Sequence, residues 1–272
     1  MKRIFVFLLV IGLLTGCAAP ASPQPDSTQA TDAPTVPTTI QTGLITKDGK
    51  TYYVNSDGTY AKGTVVINGI DRFFAKSGEE VLVVNPWHFL PYDYSPDLVT
   101  FYDFAQYADG NVLDKTCLDP LLEMLEACQT AGHTVRIVSS YRRQITQETL
   151  YNNKVDYFLN QGYDMEKARE EAGKIIAVPG TSEHQLGLAV DLIDSSYPYL
   201  DEGQEKTPAQ KWLMEHCWEY GFILRYPNGK TESTGIIYEP WHYRYVGKEL
   251  AKELYDLGIC LEAYVNLLTE GE

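Results

Sequence analysis

The chain has 272 residues, and its 37 acidic side chains outnumber 22 basic ones, for a formal net charge of −15. Such a balance excludes nucleic acid as a main partner, because phosphate backbones are gripped by a basic footprint. It leaves the class of substrate open.

Residues 1–16 read as an export signal. Lys2 and Arg3 make a short positive start, and Ile4 to Leu14 is almost wholly apolar. That run is too short for a membrane-spanning helix, which needs about 20 residues. It ends Leu14-Thr15-Gly16-Cys17, which resembles a bacterial lipobox and predicts lipidation at Cys17. The expected location is the outer face of the bacterial cytoplasmic membrane. Residues 17–40 then form the anchor and a disordered tether. Between Ala18 and Thr39 stand five prolines, several Ser and Thr and no aromatic residue, a composition that cannot bury a core and stays extended.

Residues 41–84 carry a twofold repeat with a 20-residue period. Gly43 matches Gly63, Gly49 matches Gly69, Tyr53 matches Phe73 and Gly58 matches Gly78. Each unit predicts a short β-hairpin, with Lys47-Asp48-Gly49-Lys50 as turn and Thr51 to Val54 as strand. The repeat resembles the cell-wall-binding repeats of bacterial surface proteins. Leu44 and Thr64 stand where those repeats usually carry Trp, so an aromatic cage for a quaternary ammonium is not expected. Contact of residues 43–78 with a wall polymer and a plain β-spacer packed on the next domain both remain open.

Residues 85–272 suffice for one hydrophobic core. The pattern predicts a helix over 118–131, capped by Asp119 with Pro120 in its first turn, then a strand over 133–139. Helices follow over 144–160 and 165–176, and a strand over 188–192. Thr207 caps a helix that begins with Pro208 and runs to Tyr220, where Gly221 stops it. Strands over 222–226 and within 238–246 precede closing helices over 247–257 and 261–268. Helices and strands mix without βαβ order, which predicts an α+β domain with a small, mainly antiparallel sheet flanked by helices. Four cysteines lie here, Cys117, Cys128, Cys217 and Cys260, with no Cys-x-x-Cys pair to suggest a zinc ribbon. Cys117 and Cys128 are too far apart to bond if both are helical. A Cys217–Cys260 disulfide and buried free thiols are both open.

Two segments carry chemistry. The first is Ser182-Glu183-His184-Gln185-Leu186-Gly187-Leu188-Ala189-Val190-Asp191, and the second is Glu239-Pro240-Trp241-His242. Together they offer two imidazoles and a carboxylate for one metal, plus a spare glutamate. Seven extended residues span about 23 Å, so His184 and Asp191 can meet at a metal only if the chain folds back, which Gly187 permits. Ala189 is small enough for a crowded centre. Pro240 fits the start of a strand, in which His242 and Arg244 share one face. Three ligands leave a fourth position open, and a neighbouring carboxylate can relay protons. His88, His133 and His216 read as structural. The aromatic run Trp87, Phe89, Tyr92, Tyr94, Phe101, Tyr102, Phe104 and Tyr107 reads as packing and loop anchoring.

Ser-x-His-x-x-Gly-x-Ala-x-Asp followed by Glu-Pro-Trp-His resembles the zinc D-alanyl-D-alanine carboxypeptidase family that includes the VanY and VanX enzymes and bacterial L,D-carboxypeptidases. A third element is Ser139-Ser140-Tyr141-Arg142 with Gln147 five residues on. The resemblance covers roughly residues 85–260 and implies a fold shared with Hedgehog domains and D,D-peptidases. It places zinc on His184, Asp191 and His242 and makes Glu239 the base. Arg142 would steady an oxyanion or the peptide's carboxylate, and Gln147, Ser182, Ser140 and Trp241 would line the substrate site. The implied activity is removal of the C-terminal D-Ala from peptidoglycan stem peptides. L,D-carboxypeptidase action on tetrapeptide stems, or a non-catalytic zinc-containing wall-binding lipoprotein, are the alternatives.

Overall fold

The computed structural model describes residues 41–91, 94–105 and 110–270. The expected signal, the tether and Cys17 lie outside the described residues, as do Tyr92 and Tyr107. Among the described residues no helix is long and apolar enough to cross a membrane.

The repeat forms two hairpins, β1 (Gly43–Lys47) with β2 (Lys50–Val54) and β3 (Gly63–Ile67) with β4 (Ile70–Phe74). Asp48-Gly49 and Asn68-Gly69 occupy the turns with positive φ at all four residues, which is how a two-residue turn matches the twist of its strands. A two-residue strand, β5 (Glu80–Val81), adds to β4, and an isolated bridge from Tyr52 to Glu79 ties the first hairpin to the second unit. Phe73, Val81 and Val83 are buried together with Leu250, Leu261 and Tyr264 of the closing helices. The hairpins therefore share a core with the far end of the chain.

A hairpin absent from the sequence expectations follows: β6 (Leu98–Phe101) with β7 (Asn111–Asp114). It shifts the start of the next helix. Helix α1 spans Lys115–Thr130 and not 118–131, because Asp114, and not Asp119, is its cap. Asp114 Oδ1 accepts from Thr116 N (2.9 Å) and Thr116 Oγ1 (2.7 Å), while Oδ2 accepts from Asp97 N (2.8 Å). Pro120 consequently stands inside the helix and cannot donate to the carbonyl four residues before it.

Apart from α5, a single-turn helix absent from the sequence expectations, the remaining elements lie close to expectation. They are β8 (Val135–Ser139), α2 (Gln144–Asn160), α3 (Met165–Ile175), β9 (Ala189–Asp194), α4 (Pro208–His216), β10 (Phe222–Leu224), α5 (Thr231–Thr234), β11 (His242–Tyr245), α6 (Lys248–Leu257) and α7 (Leu261–Glu270). Thr207 Oγ1 accepts from Gln210 N and caps α4. A 3-10 turn, Cys217–Tyr220, extends α4 to Gly221, whose φ of 84° ends it. The fold is α+β. Its central sheet has the strand order β10-β11-β9-β8, with every pair antiparallel. One face packs on α1 and α4 through Leu121, Leu125, Ile137, Leu192, Leu213 and Tyr243. All four cysteines are buried and free. No Cys217–Cys260 bond forms, and burial pushes the thiols of Cys117, Cys128 and Cys217 up to about 12.

Between α3 and β9 the chain makes a 3-10 turn, Glu183–Leu186, and reverses at Gly187. There φ is +74°, the Gly187 carbonyl accepts from Asp114 N (2.9 Å), and an added Cβ would meet that nitrogen at 3.0 Å. Gly187→Ala is expected to lower the unfolding free energy by about 1–3 kcal/mol, read from a urea midpoint at unchanged m-value.

Candidate active site

The site stands where β9, β11 and the end of β8 meet. Antiparallel pairing puts His242 directly opposite Asp191, so their side chains leave the same face of the sheet. On the other flank Ser139 pairs with Asp191 across a bulge that interrupts β8 after Ile137. Beyond the bulge the chain crosses the 3-10 turn that carries His184. Arg142 N donates to the His184 carbonyl (3.0 Å), and His184 Nδ1 donates to the Ser140 carbonyl (2.8 Å). That bond fixes the His184 tautomer and leaves Nε2 as an acceptor facing inward.

One ligand atom from each of His184, Asp191 and His242 lies within 4.8 Å of the others. His184 Nε2 is 3.3 Å from Asp191 Oδ2, and His242 Nδ1 is 3.1 Å from Asp191 Oδ1. All three residues are buried, and Asp191 Oδ1 has no hydrogen-bond partner. Two imidazole nitrogens and a carboxylate oxygen this close, with one oxygen unsatisfied, fit a three-ligand tetrahedral ion with one open position. Glu239 sits in the turn entering β11, where its carbonyl accepts from His242 N (3.1 Å). Its Oε2 is 3.6 Å from His242 Nδ1.

Arg142 flanks this group. Its Nη1 donates to Gln147 Oε1 (2.8 Å), its Nη2 donates to Ser139 Oγ (2.9 Å), and Nη2 lies 3.9 Å from Asp191 Oδ2. Gln147 is fully buried, and its Nε2 donates to the Ala177 carbonyl (2.6 Å), so both ends of its amide are engaged. Ser140 Oγ accepts from Val112 N (3.1 Å). Ser182 is buried at the entry of the 3-10 turn, and Trp241 is buried beside His242. His88 and His216 make local contacts with Asn85 and Glu219, away from the cluster.

The charges are strongly biased. Burial raises the Glu239 carboxyl to about 8, with Asp191 adding to the rise and His242 and Arg142 opposing it. Burial would raise Asp191 too, but His184 and His242 outweigh it and hold that carboxyl well below the usual range. Burial and the nearby Arg142 lower His184, which keeps its imidazole neutral. Burial lowers His242, yet its contacts with Asp191 and Glu183 prevail and lift it to about 9.

The sequence reading passed over Glu183, Arg225 and Glu262 and gave Arg244 only a place on the face of His242. Glu183 Oε1 accepts from Arg225 Nε and Arg244 Nη1, both at 2.7 Å, and Oε2 lies 3.6 Å from His242 Nε2. A signal was present: an arginine on the same strand face as a metal-ligand candidate must be buried, and a buried guanidinium needs an acid.

Residues 110–248 match the family described as VanY, D-alanyl-D-alanine carboxypeptidase. The chain belongs to that family. A D-alanyl-D-alanine carboxypeptidase of Enterococcus faecalis (strain ATCC 700802 / V583) is 38% identical over 68% of this chain and 65% of its own length. The match thus spans just under two thirds of that relative's length. A mutant of a vancomycin resistance D,D-pentapeptidase VanY in complex with Zn(II) superposes with a TM-score of 0.60 at 36% identity, covering 68% of this chain and 98% of that one. VanYB in complex with D-alanine-D-alanine gives 0.60 at 38% identity, over 68% and 96%. The LD-carboxypeptidase LdcB gives 0.61 at 33% identity, over 75% and 94%.

Since His242 and Glu239 both hold a proton at pH 7 in the metal-free protein, uptake of a divalent cation is expected to release protons and to strengthen as pH rises from 7 towards 9. Titration calorimetry in two buffers of different ionisation enthalpy measures this, and a proton count of zero would contradict it.

Proposed function

We propose that this chain is a zinc-dependent D-alanyl-D-alanine carboxypeptidase that removes the terminal D-Ala from peptidoglycan stem peptides. The observation that carries the reading is the convergence of His184, Asp191 and His242, with Glu239 within 3.6 Å of His242 Nδ1. His184 Nε2, Asp191 and His242 Nδ1 would hold the metal. When bound, zinc supplies Lewis acidity to a carbonyl oxygen and to an attacking water.

The chain's own groups do the rest. Glu239 takes a proton from the attacking water at its carboxylate and hands it to the departing amine of D-Ala. A divalent cation held beside Glu239 opposes the rise that burial causes and favours its carboxylate form, the form a base needs. Arg142 meets the negative charge of the substrate, either the developing oxyanion or the terminal carboxylate. Its two anchors, Ser139 and Gln147, hold the guanidinium before substrate arrives, so Gln147 acts through Arg142. Ser140 keeps its hydroxyl proton for the peptide, because its oxygen accepts from Val112 N. Ser182 and Trp241, both buried and close in sequence to the two histidines, would line the substrate site as the family resemblance implies.

L,D-carboxypeptidase action is the second reading, and it is favoured by the likeness to LdcB, which extends over 75% of this chain. The lipobox-like run to Cys17 and the proline-rich residues 17–40 support a lipid-anchored enzyme on the outer face of the cytoplasmic membrane. The hairpins over 43–78 would serve as a wall-side contact or as a spacer packed on the next domain, and their shared core with α6 and α7 supports the spacer. A non-catalytic lipoprotein would have no use for Glu239 beside the ligands.

Liquid chromatography of products from pentapeptide and tetrapeptide stems tests the assignment. Release of D-Ala from the pentapeptide, lost to chelator and restored by zinc, is expected. Preference for the tetrapeptide would assign L,D specificity, and inertness towards both would leave the non-catalytic reading. Glu239→Gln should lower kcat by about 10²–10⁴-fold with zinc still bound. Undiminished turnover would remove Glu239 from the mechanism.

A further inference from the structure

Behind His242 lies a buried cluster of four charges that the peptidase reaction leaves unused. Arg225 and Arg244 are fully buried, as is Glu183, and Glu262 is nearly so. Arg225 bridges Glu183 and Glu262, with Nη1 to Glu262 Oε2 at 2.9 Å and Nη2 to Oε1 at 2.5 Å. Arg244 spends all three of its nitrogens: Nη1 on Glu183 Oε1 (2.7 Å), Nη2 on the Leu82 carbonyl (2.9 Å) and Nε on the Tyr245 carbonyl (2.9 Å). Stability alone does not account for such a set, because apolar side chains of similar volume hold a core at least as well as buried ion pairs do.

One pair of atoms in this cluster is left over. Glu183 Oε2 and His242 Nε2 are both buried, both lack a hydrogen-bond partner, and they face each other at 3.6 Å. The opposite ring nitrogen, Nδ1, faces Asp191 Oδ1 at 3.1 Å. A carboxylate behind an imidazole keeps the proton on the near nitrogen and leaves the far lone pair for a cation. We propose that Glu183 is a positioning residue for His242. It fixes the ring with Nε2 protonated and Nδ1 presented to the metal, and it is itself immobilised by Arg225 and Arg244.

The segment that leaves the hairpin repeat joins this cluster. Leu82 follows directly on β5, and Asn85 Nδ2 donates to Glu262 Oε1 (3.0 Å). Both arginines that hold Glu183 are therefore tied, one directly and one through Glu262, to the segment leaving the repeat. Residues 82–85, which follow the hairpins, thus back the groups that hold Glu183.

This inference rests on the reading of His242 as a metal ligand, and the test separates the two. Wild-type protein labelled with [15N]histidine and loaded with zinc should show His242 metallated at Nδ1 with a slowly exchanging proton on Nε2. Metal on Nε2, with the proton on Nδ1, overturns the role of Glu183 while leaving His242 a ligand. A His242 spectrum that zinc does not change overturns the parent reading as well. In Glu183→Gln, competition with a chromophoric chelator should show zinc affinity about 10–100-fold weaker, with protection of the Nε2 proton lost. Affinity within twofold of wild type overturns the inference. If that variant does not fold, the wild-type spectrum alone decides.

Discussion

Antiparallel pairing of β9 with β11 is the constraint on which the rest of the site depends. Opposite residues on neighbouring strands project to one face, and a slip of one residue would send one of them into the core behind the sheet. Register sets Asp191 against His242, and Ser139 closes the other side. Given those positions, the segment that carries His184 has only to fold back once. Gly187 supplies that reversal, and the hydrogen bond from Asp114 N to its carbonyl holds it against the start of α1. A rigid sheet, a tight turn and a capped helix thus converge on a volume a few ångströms across.

The electrostatics show why such a volume must be built from several directions. His184, Asp191, Glu239 and His242 are all removed from water, as are Glu183 and both of its arginines. Each buried charge would be costly alone. They persist because every carboxylate faces a cation or an imidazole, and because Arg244 gives its remaining donors to the Leu82 and Tyr245 carbonyls. Arg142 follows the same rule beside Asp191, where Gln147 and Ser139 accept from its two terminal nitrogens. The result is a site whose groups are oriented before any ligand enters.

Much of this was legible in the residues. The patterns from Ser182 to Asp191 and from Glu239 to His242 pointed to one shared site, and the fold brings His184, Asp191 and His242 within 4.8 Å of one another. The helix over 144–160 and the Thr207 cap were readable from local signals. The β6–β7 hairpin was not: its strands are four residues each, and Leu98–Phe101 lies amid aromatic residues that also suit a loop. Missing it misplaced the cap of α1, since Asp114 and Asp119 are equally good capping residues until the preceding strand is known. Glu183 went unnoticed for another reason. An acid beside a candidate ligand carries no signature in one dimension, and its partners Arg225 and Arg244 are 42 and 61 residues away. The packing of the hairpin repeat on α6 and α7 was equally out of reach, because contacts across most of the chain leave no local trace.

The four thiols have a bearing on how the chain can reach its working form. Each is sealed in the interior, and three are held firmly protonated by their surroundings. A protonated, inaccessible sulfur neither attacks nor is attacked. Among the described residues, folding therefore asks nothing of a thiol oxidase or disulfide isomerase, and these four sulfurs are shielded from the ambient redox poise.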